Sequence, residues 1–269
     1  MEKEKFMLNN IALVGYGYVG KSMERMFNEH PDYKVVPYSR HIGTKEEVNK
    51  CDLAIVCVPT PKSADGSCDT SAVEEVISWI ECPLILIKSA VEPGTTERLK
   101  AKYGKRIVTS PEYAGESKFW TPPRYPNPTN PISHGFFILG GDDQDCSDVA
   151  DILIPVVGPA TRIRFMTAQE AELVKYFENT WGATKVTLAN EFRKICEAAG
   201  ANWHRVREGW IDDPRVEPMH TAVFKNKRGF GGKCFPKDIS ALVFYARKKG
   251  YEPIMISSMI ESNEKMVHE

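Results

Sequence analysis

The sequence predicts an α/β protein in two domains. A doubly wound parallel sheet is expected over residues 1–166, followed by an all-helical domain over 167–269 with one long central helix. Three observations predict this. Short apolar runs, each ending in a small, polar or proline-rich loop, alternate with helical stretches through the first domain. The first such run leads straight into Gly15-Tyr16-Gly17-Tyr18-Val19-Gly20 and then into a helix. From Thr167, whose Thr167-x-x-Glu170 spacing is a capping box, one helical pattern continues to a stop at Gly200.

Composition narrows the function classes. The chain has 269 residues, with 35 basic and 36 acidic side chains and a net charge of -1, so nothing in its global charge draws it to nucleic acid or an anionic membrane. Any phosphate has to be held locally. Seven cysteines with no C-x-x-C pair, and no apolar leader ahead of Ile11, argue against a disulfide framework and secretion; a cytoplasmic protein is expected. No apolar run approaches the roughly 20 residues of a membrane-spanning helix, and no metal site is assigned.

Taken in order, Ile11–Val14 is a buried strand, and Lys21–Asn28 continues the helix that opens after the glycines. In this context Gly15 makes the turn, Gly17 admits a pyrophosphate, Gly20 lets helix and strand pack closely, and the helix N-terminus faces the anion. The element is read as a dinucleotide site, the alternative being a glycine turn that binds nothing. Lys34–Tyr38 is the second strand. It ends in Ser39-Arg40, where a ribose-binding carboxylate would be expected; Arg40 either meets a 2′-phosphate, favouring NADP, or is an ordinary surface arginine. Asp52–Val58 is a buried strand stopped by Pro59-Thr60-Pro61, and Ser71-x-x-Glu74 is a capping-box pattern for the next helix. Pro83–Ile87 leads into Lys88-Ser89-Ala90, and Arg106–Thr109 into Ser110-Pro111-Glu112. Residues 117–134 break the rhythm with Phe119, Trp120 and five prolines, which suggests a packed lid. A strand over Phe136–Leu139, a helix from about Gln144 and a last strand over Ala160–Phe165 complete the domain.

The helix predicted from Ala168 to Ala199 would be roughly 48 Å long at 1.5 Å per residue. Leu173, Phe177, Trp181, Leu188, Phe192 and Ile195 fall on one face, with Lys175, Asn179 and Asn190 opposite. Lys175 and Asn179, four apart, place an ammonium beside an amide, suited to stabilising an oxyanion; the plainer reading is two solvated side chains. The apolar stripe suggests a homodimer built on this helix, or packing against the helices expected over Asn202–Arg207 and Ser240–Lys249 of the same chain. Further on, Gly229-Phe230-Gly231-Gly232-Lys233-Cys234-Phe235-Pro236-Lys237-Asp238 delivers one thiol on a glycine-rich turn, with a cation and a carboxylate close behind it. It is either a nucleophile or a buried, inert cysteine.

The glycine motif, Val56–Pro61, Lys88–Thr95, Ser110-Pro111-Glu112-Tyr113-Ala114-Gly115-Glu116, Ala171–Lys175 with Asn179, Asn190-Glu191 and Gly229–Asp238 stand in an order that resembles the UDP-glucose/GDP-mannose dehydrogenase family over residues 11 to about 265. The resemblance implies a Rossmann domain joined to a helical dimerisation domain, and NAD-dependent four-electron oxidation of a nucleotide-sugar alcohol to the acid. It makes Cys234 the nucleophile, Lys175 and Asn179 the oxyanion stabilisers, Asp238 a proton-moving group and Glu112 the base for the hydrolytic water. Cofactor contacts are implied for Gly15, Gly17, Tyr18, Val19 and Gly20, for Arg40, and for Pro59 and Thr60, with Thr60 near the nicotinamide. Ser89, Glu116 and Lys237 join that set. Substrate contacts are implied for Glu112, Tyr113, Ala114, Lys175 and Asn179, and for Phe230, Gly231 and Gly232. Arg215, in Asp212-Asp213-Pro214-Arg215-Val216, resembles the segment that reaches a neighbouring subunit's site.

Three departures accompany the likeness. Ser39-Arg40 and a shortened segment replace the family's acidic residue, Ala90 stands where a water-ordering threonine is usual, and a third nucleotide-binding domain has no counterpart here. Either a separate chain supplies that domain, or the substrate is gripped differently, or the chain is inactive alone. The competing functions are a two-electron NAD(P)-dependent hydroxyacid-type dehydrogenase and a non-catalytic binding module.

Overall fold

The computed structural model describes residues 10–115 and 127–268. They form two compact units. Of these, the first takes in residues 10–61, 69–115 and 127–175; the second takes in Lys62–Cys68 and residues 176–268. The division therefore falls inside the long helix rather than ahead of it.

In the first unit a seven-stranded sheet has the order β2-β1-β3-β4-β5-β6-β7, with β1 at Asn10–Val14, β2 at Lys34–Tyr38, β3 at Leu53–Val56, β4 at Leu84–Ile87, β5 at Ile107–Thr109, β6 at Phe136–Gly140 and β7 at Arg162–Met166. Strand alternation sends Ile11, Leu13, Leu53, Ile55, Leu84 and Leu86 to one face, where they meet Met23, Met26 and Phe27 of α1 (Tyr18–Asn28) and Val149, Ile152 and Leu153 of α5 (Asp143–Val157). Ala12, Val14, Ala54, Val56, Ile85 and Ile87 go to the other face, against α2 (Lys45–Val48), α3 (Ser71–Trp79) and α4 (Thr95–Tyr103). With helices on both faces, the central strands can be apolar throughout.

The expected all-parallel sheet holds for β1 to β5. β6 pairs antiparallel with β5, and β7 runs parallel to β6. A parallel neighbour needs a crossover of a dozen or more residues, usually helical. Between β5 and β6 the only helical element among the described residues is a 3₁₀ turn, Pro131–His134.

Capping went two ways. Thr167 and Glu170 exchange the expected bonds, with Thr167 N–H donating to Glu170 Oε2 at 2.8 Å and Glu170 N–H to Thr167 Oγ1 at 3.3 Å. Ser71 and Glu74 do not form a box. Ser71 is already the first helical residue, after Thr70, and Glu74 is held instead by Arg98 and Lys102, each at 2.6 Å. An unexpected box, Thr44 with Glu47, starts α2.

The N-terminus of α4 is capped from a distance. Glu172, on α6 (Ala168–Ala198), accepts from Gly94 N–H at 2.5 Å and from Thr96 N–H and Oγ1 at 2.9 and 2.7 Å. Burial pushes its carboxyl up to about 7 against the pull of these bonds. The folded chain thus holds this proton to a higher pH than the unfolded chain does. Stability from this group is full below the unfolded value and is lost as pH rises through about 7. Glu172→Gln is expected to remove that slope, which for the wild type is on the order of 2–3 kcal/mol between pH 4.5 and 7.5. Urea denaturation across that range checks it; equal slopes in both proteins would refute the assignment.

The second unit contains α6 from Tyr176 onward, α7 (Trp203–Ile211), α8 (Cys234–Lys248) and α9 (Ile254–Val267), with the hairpin 62–68 docked through Ser240 Oγ donating to Gly66 O at 3.0 Å. Its apolar core comes in two clusters. Ala183, Phe230, Ile239 and Met259 form one; Ala189, Cys196 and Trp203, with Phe192 and Trp210 packed against them, form the other. Phe192 therefore belongs to the chain's own core and not to an open stripe. Phe177, Trp181 and Ile195 stay 57%, 63% and 59% exposed, while Asn179 and Asn190 on the opposite side are buried. No helix among the described residues is long and apolar enough to cross a membrane.

Candidate active site

At the C-terminal ends of the parallel strands, the first turn is shaped for an anion. Gly15 has φ +101°, and a Cβ there would come within 2.6 Å of the Cys57 carbonyl at the end of β3. A Cβ on Gly20 would lie 2.4 Å from Gly15 O, so the close packing of turn on helix requires that glycine too. Gly17 differs: it is the N-cap of α1 and the space its Cβ would fill is open. With no side-chain cap and no acidic residue in the first turn of α1, the end of that helix fits a pyrophosphate.

Tyr18 hydroxyl donates to Gly115 O at 2.7 Å, and Val19 packs against the core. Thr60 hydroxyl donates to Ala90 O and Ser89 hydroxyl to Val58 O, both at 2.7 Å, tying together the loops that follow β3 and β4; Pro59 between them is exposed. Ser39 and Ile42 close a turn by mutual backbone bonds of 2.9 and 3.3 Å, leaving Arg40 exposed at its tip. Glu116, and Phe119 and Trp120 of the expected lid, lie outside the described residues. The part of that segment that is described packs on α1, where Ser22 hydroxyl donates to Thr129 O at 2.9 Å.

The predicted catalytic residues fall into two constellations, one in each unit. In the first, Glu112 is buried just beyond β5. Its Oε1 accepts the backbone N–H groups of Tyr113 and Ala114, while Oε2 has no hydrogen-bond donor and faces Lys88 Nζ at 3.5 Å. Lys175 Nζ sits 5.1 Å from the centroid of the Tyr113 ring. In the second, Asp238 is 1% exposed; its Oδ2 accepts from Asn179 Nδ2 at 2.5 Å and its Oδ1 lies 2.5 Å from Lys237 Nζ. Lys237 is thus engaged with Asp238.

Cys234 is not on a tight turn, as its glycine-rich approach suggested. It is the first residue of α8, which starts six residues earlier than expected; Pro236 is accommodated in the opening turn, where a missing N–H costs little. The thiol is exposed at a helix N-terminus that carries no acidic residue in its first turn. Other cysteines are buried, which pushes Cys51 and Cys146 up to about 11 and Cys82 to about 12.

The loop before Cys234 is held by a residue absent from the sequence reading. Asn263 of α9 accepts from Phe230 N–H at 2.6 Å and donates Nδ2–H to Phe230 O at 3.1 Å. A Cβ on Gly229 would meet Asn263 Oδ1 at 2.4 Å. Gly231 and Gly232 are exposed beside it. Arg215 is exposed and forks onto Asp213, at 2.6–3.0 Å. Lys88 and Asn263 were both missed as candidate site residues. A charged residue directly after an apolar strand was a signal for Lys88; nothing in the sequence marks Asn263.

An α/β sheet with this glycine turn and open helix end defines a dinucleotide-binding protein of Rossmann type. The profile for the UDP-glucose/GDP-mannose dehydrogenase family, NAD binding domain, matches residues 37–127, and the one for the same family's central domain matches residues 169–265. Together they account for more than half of the chain, which belongs to the UDP-glucose/GDP-mannose dehydrogenase family. Its first unit is accordingly an NAD-binding domain.

Among relatives, the UDP-glucose 6-dehydrogenase AglM of Haloferax volcanii is 29% identical over 245 residues, covering 81% of this chain and 54% of that protein. The GDP-mannose 6-dehydrogenase of Pseudomonas aeruginosa is 28% identical, covering 83% and 53%. A UDP-glucose dehydrogenase structure from Pyrobaculum islandicum superposes with a TM-score of 0.80 at 25% identity, covering 98% of this chain and 70% of that one. The chain spans about half the length of the curated relatives it matches.

Proposed function

We propose that this chain carries out the NAD-dependent, four-electron oxidation of a nucleotide-sugar primary alcohol to the uronic acid, through a covalent adduct on Cys234. The observation that carries this reading is Cys234 at the start of α8, one turn ahead of a buried Asp238 that is itself bonded to Asn179. A two-electron dehydrogenase has no use for an exposed thiol in that place.

NAD would be held by Gly15, Gly17, Gly20 and the loops carrying Thr60 and Ser89, and two NAD bound in succession would each supply the acceptor for one hydride. The chain's own groups do the rest. Asp238, fixed by Asn179 and Lys237, takes the alcohol proton as the first oxidation proceeds. The resulting aldehyde is attacked by the Cys234 thiolate, giving a thiohemiacetal whose alkoxide is stabilised by the Asn179 amide and the Lys175 ammonium. The second oxidation leaves a thioester. Water, deprotonated by Glu112, releases the acid and returns the thiolate. Tyr113 and Ala114 orient the base through their N–H groups, and Phe230, Gly231 and Gly232 line the substrate near the thiol.

The substrate panel is UDP- and GDP-sugars, with reduced nicotinamide counted per sugar consumed. Two is the expected ratio, and a ratio of one would replace this reading with the two-electron one. Arg215 is assigned to the neighbouring subunit's site in a homodimer.

Cofactor choice is a separate expectation. With Arg40 exposed at the tip of the Ser39–Ile42 turn and no carboxylate there, discrimination between NAD and NADP should be weak. Arg40→Ala is expected to weaken NADP by roughly tenfold more than NAD, the loss of one charge-assisted contact. Dissociation constants from fluorescence titration check it; a strong NAD preference untouched by the substitution would overturn it.

A further inference from the structure

We propose that Lys88 is a positioning residue for Glu112: its buried ammonium supplies the fixed counter-charge that keeps the carboxylate ready to take a proton on Oε2. This rests on the reading of Glu112 as the base for thioester hydrolysis. Lys88 directly follows β4 and is 3% exposed. Its Nζ is 3.1 Å from Pro111 O, 3.4 Å from Ser110 Oγ and 3.5 Å from Glu112 Oε2, and lies 5.4 Å from the centre of the Phe137 ring. The head group is thus anchored to the same short segment that carries Glu112.

The two carboxylate oxygens are not equivalent. Oε1 is anchored by two backbone N–H groups, whereas Oε2 is buried, accepts no hydrogen bond and looks onto the ammonium. An ionised carboxylate this deep needs an opposite charge, because burial otherwise drives it to its neutral form. Three other titratable groups act on this neighbourhood. Burial holds His134, from the 3₁₀ turn, below its ordinary value and pushes the Cys57 thiol, at the end of β3, above its own, so both stay uncharged near neutral pH. Lys175, from α6, lies over the Tyr113 ring. Lys88 is the cation paired directly with Glu112.

In the step concerned, a water oxygen bonds to the thioester carbon as Glu112 Oε2 takes one of its protons. The carbon–sulfur bond then breaks and the electron pair leaves with Cys234 as thiolate. Lys88 donates no proton. Its charge holds the acceptor oxygen ionised until the water arrives.

Lys88→Met removes the charge at similar volume, and Lys88→Arg restores it. In single-turnover mixing with a nucleotide sugar, Lys88→Met is expected to accumulate acyl-Cys234, seen by intact mass. Its deacylation at pH 7 should be about tenfold slower or more, and the slowing should deepen along the acid limb of the pH profile. Lys88→Arg should keep most of the wild-type rate. A second measurement needs no turnover. Denaturation midpoints of Lys88→Met should fall further at pH 8 than at pH 5, and Glu112→Gln in the same chain should recover the loss. Wild-type deacylation with an unmoved pH limb overturns the proposal, as does an equal, pH-independent loss of stability in the single and double variants. If the wild-type chain forms no acyl-Cys234, the covalent reaction itself falls, and the stability comparison alone decides the role of Lys88.

Discussion

Cys234→Ser is expected to cut net production of the acid by about a thousandfold or more, as loss of a nucleophile does elsewhere. The first oxidation should survive in part, because Asp238, Asn179 and Lys175 are untouched. A serine hydroxyl at the start of α8 is a far weaker nucleophile than a thiol in the same place. The variant should therefore yield at most one reduced nicotinamide per sugar where the wild type yields two, with aldehyde accumulating. Cofactor absorbance and product mass, read together, check this. A variant that still delivers two would mean the thiol is not the covalent partner.

The second large effect concerns association. Phe177, Trp181, Leu188 and Ile195 form an exposed apolar stripe on α6, each between 40% and 63% accessible, and large aromatic side chains at such a surface are favoured anchors of interfaces. A homodimer built on this helix would cover them. Trp181→Asp is expected to weaken self-association by about a hundredfold, and Phe177→Asp comparably. Phe192→Asp is a poor probe, since Phe192 meets Trp210 edge-on at 5.4 Å inside its own unit and its loss would damage folding. Light scattering over a concentration series decides: a wild-type particle of one chain mass at micromolar protein defeats the dimer, and dissociation by Trp181→Asp with folding intact supports it.

Much of the fold was legible because its signals are local. Apolar runs such as Leu53–Val56 and Leu84–Ile87 have few other uses than a strand covered on both faces, and Thr167 with Glu170 announces a helix in four residues. The reversal of β6 was not legible, because it depends on a connection with little periodicity of its own. The capping pattern at Ser71 misled for a related reason: the chemistry of a box is present, but Arg98 and Lys102, both on α4, compete for Glu74 and win. In the candidate site, the compact motif that carries Cys234 and Asp238 was visible as a motif. Their supports were not. Lys88 reaches Glu112 from just beyond another strand, Glu172 caps a helix 76 residues away, and Asn263 holds Phe230 from 33 residues downstream. Such pairings are made by the fold and leave no spacing to detect.

The hold of Asn263 on Phe230 also bears on how this motif can be inherited. A descendant keeping every letter of Gly229–Asp238 but carrying leucine at 263 would look intact to any comparison of motifs. Its Phe230 amide and carbonyl would both lose their partners, and the bulk of the new side chain would press on the bare face of Gly229. The signature and the geometry that supports it can therefore drift apart in a lineage, with α9, rather than the thiol loop, recording which members still hold the loop ahead of Cys234 in place.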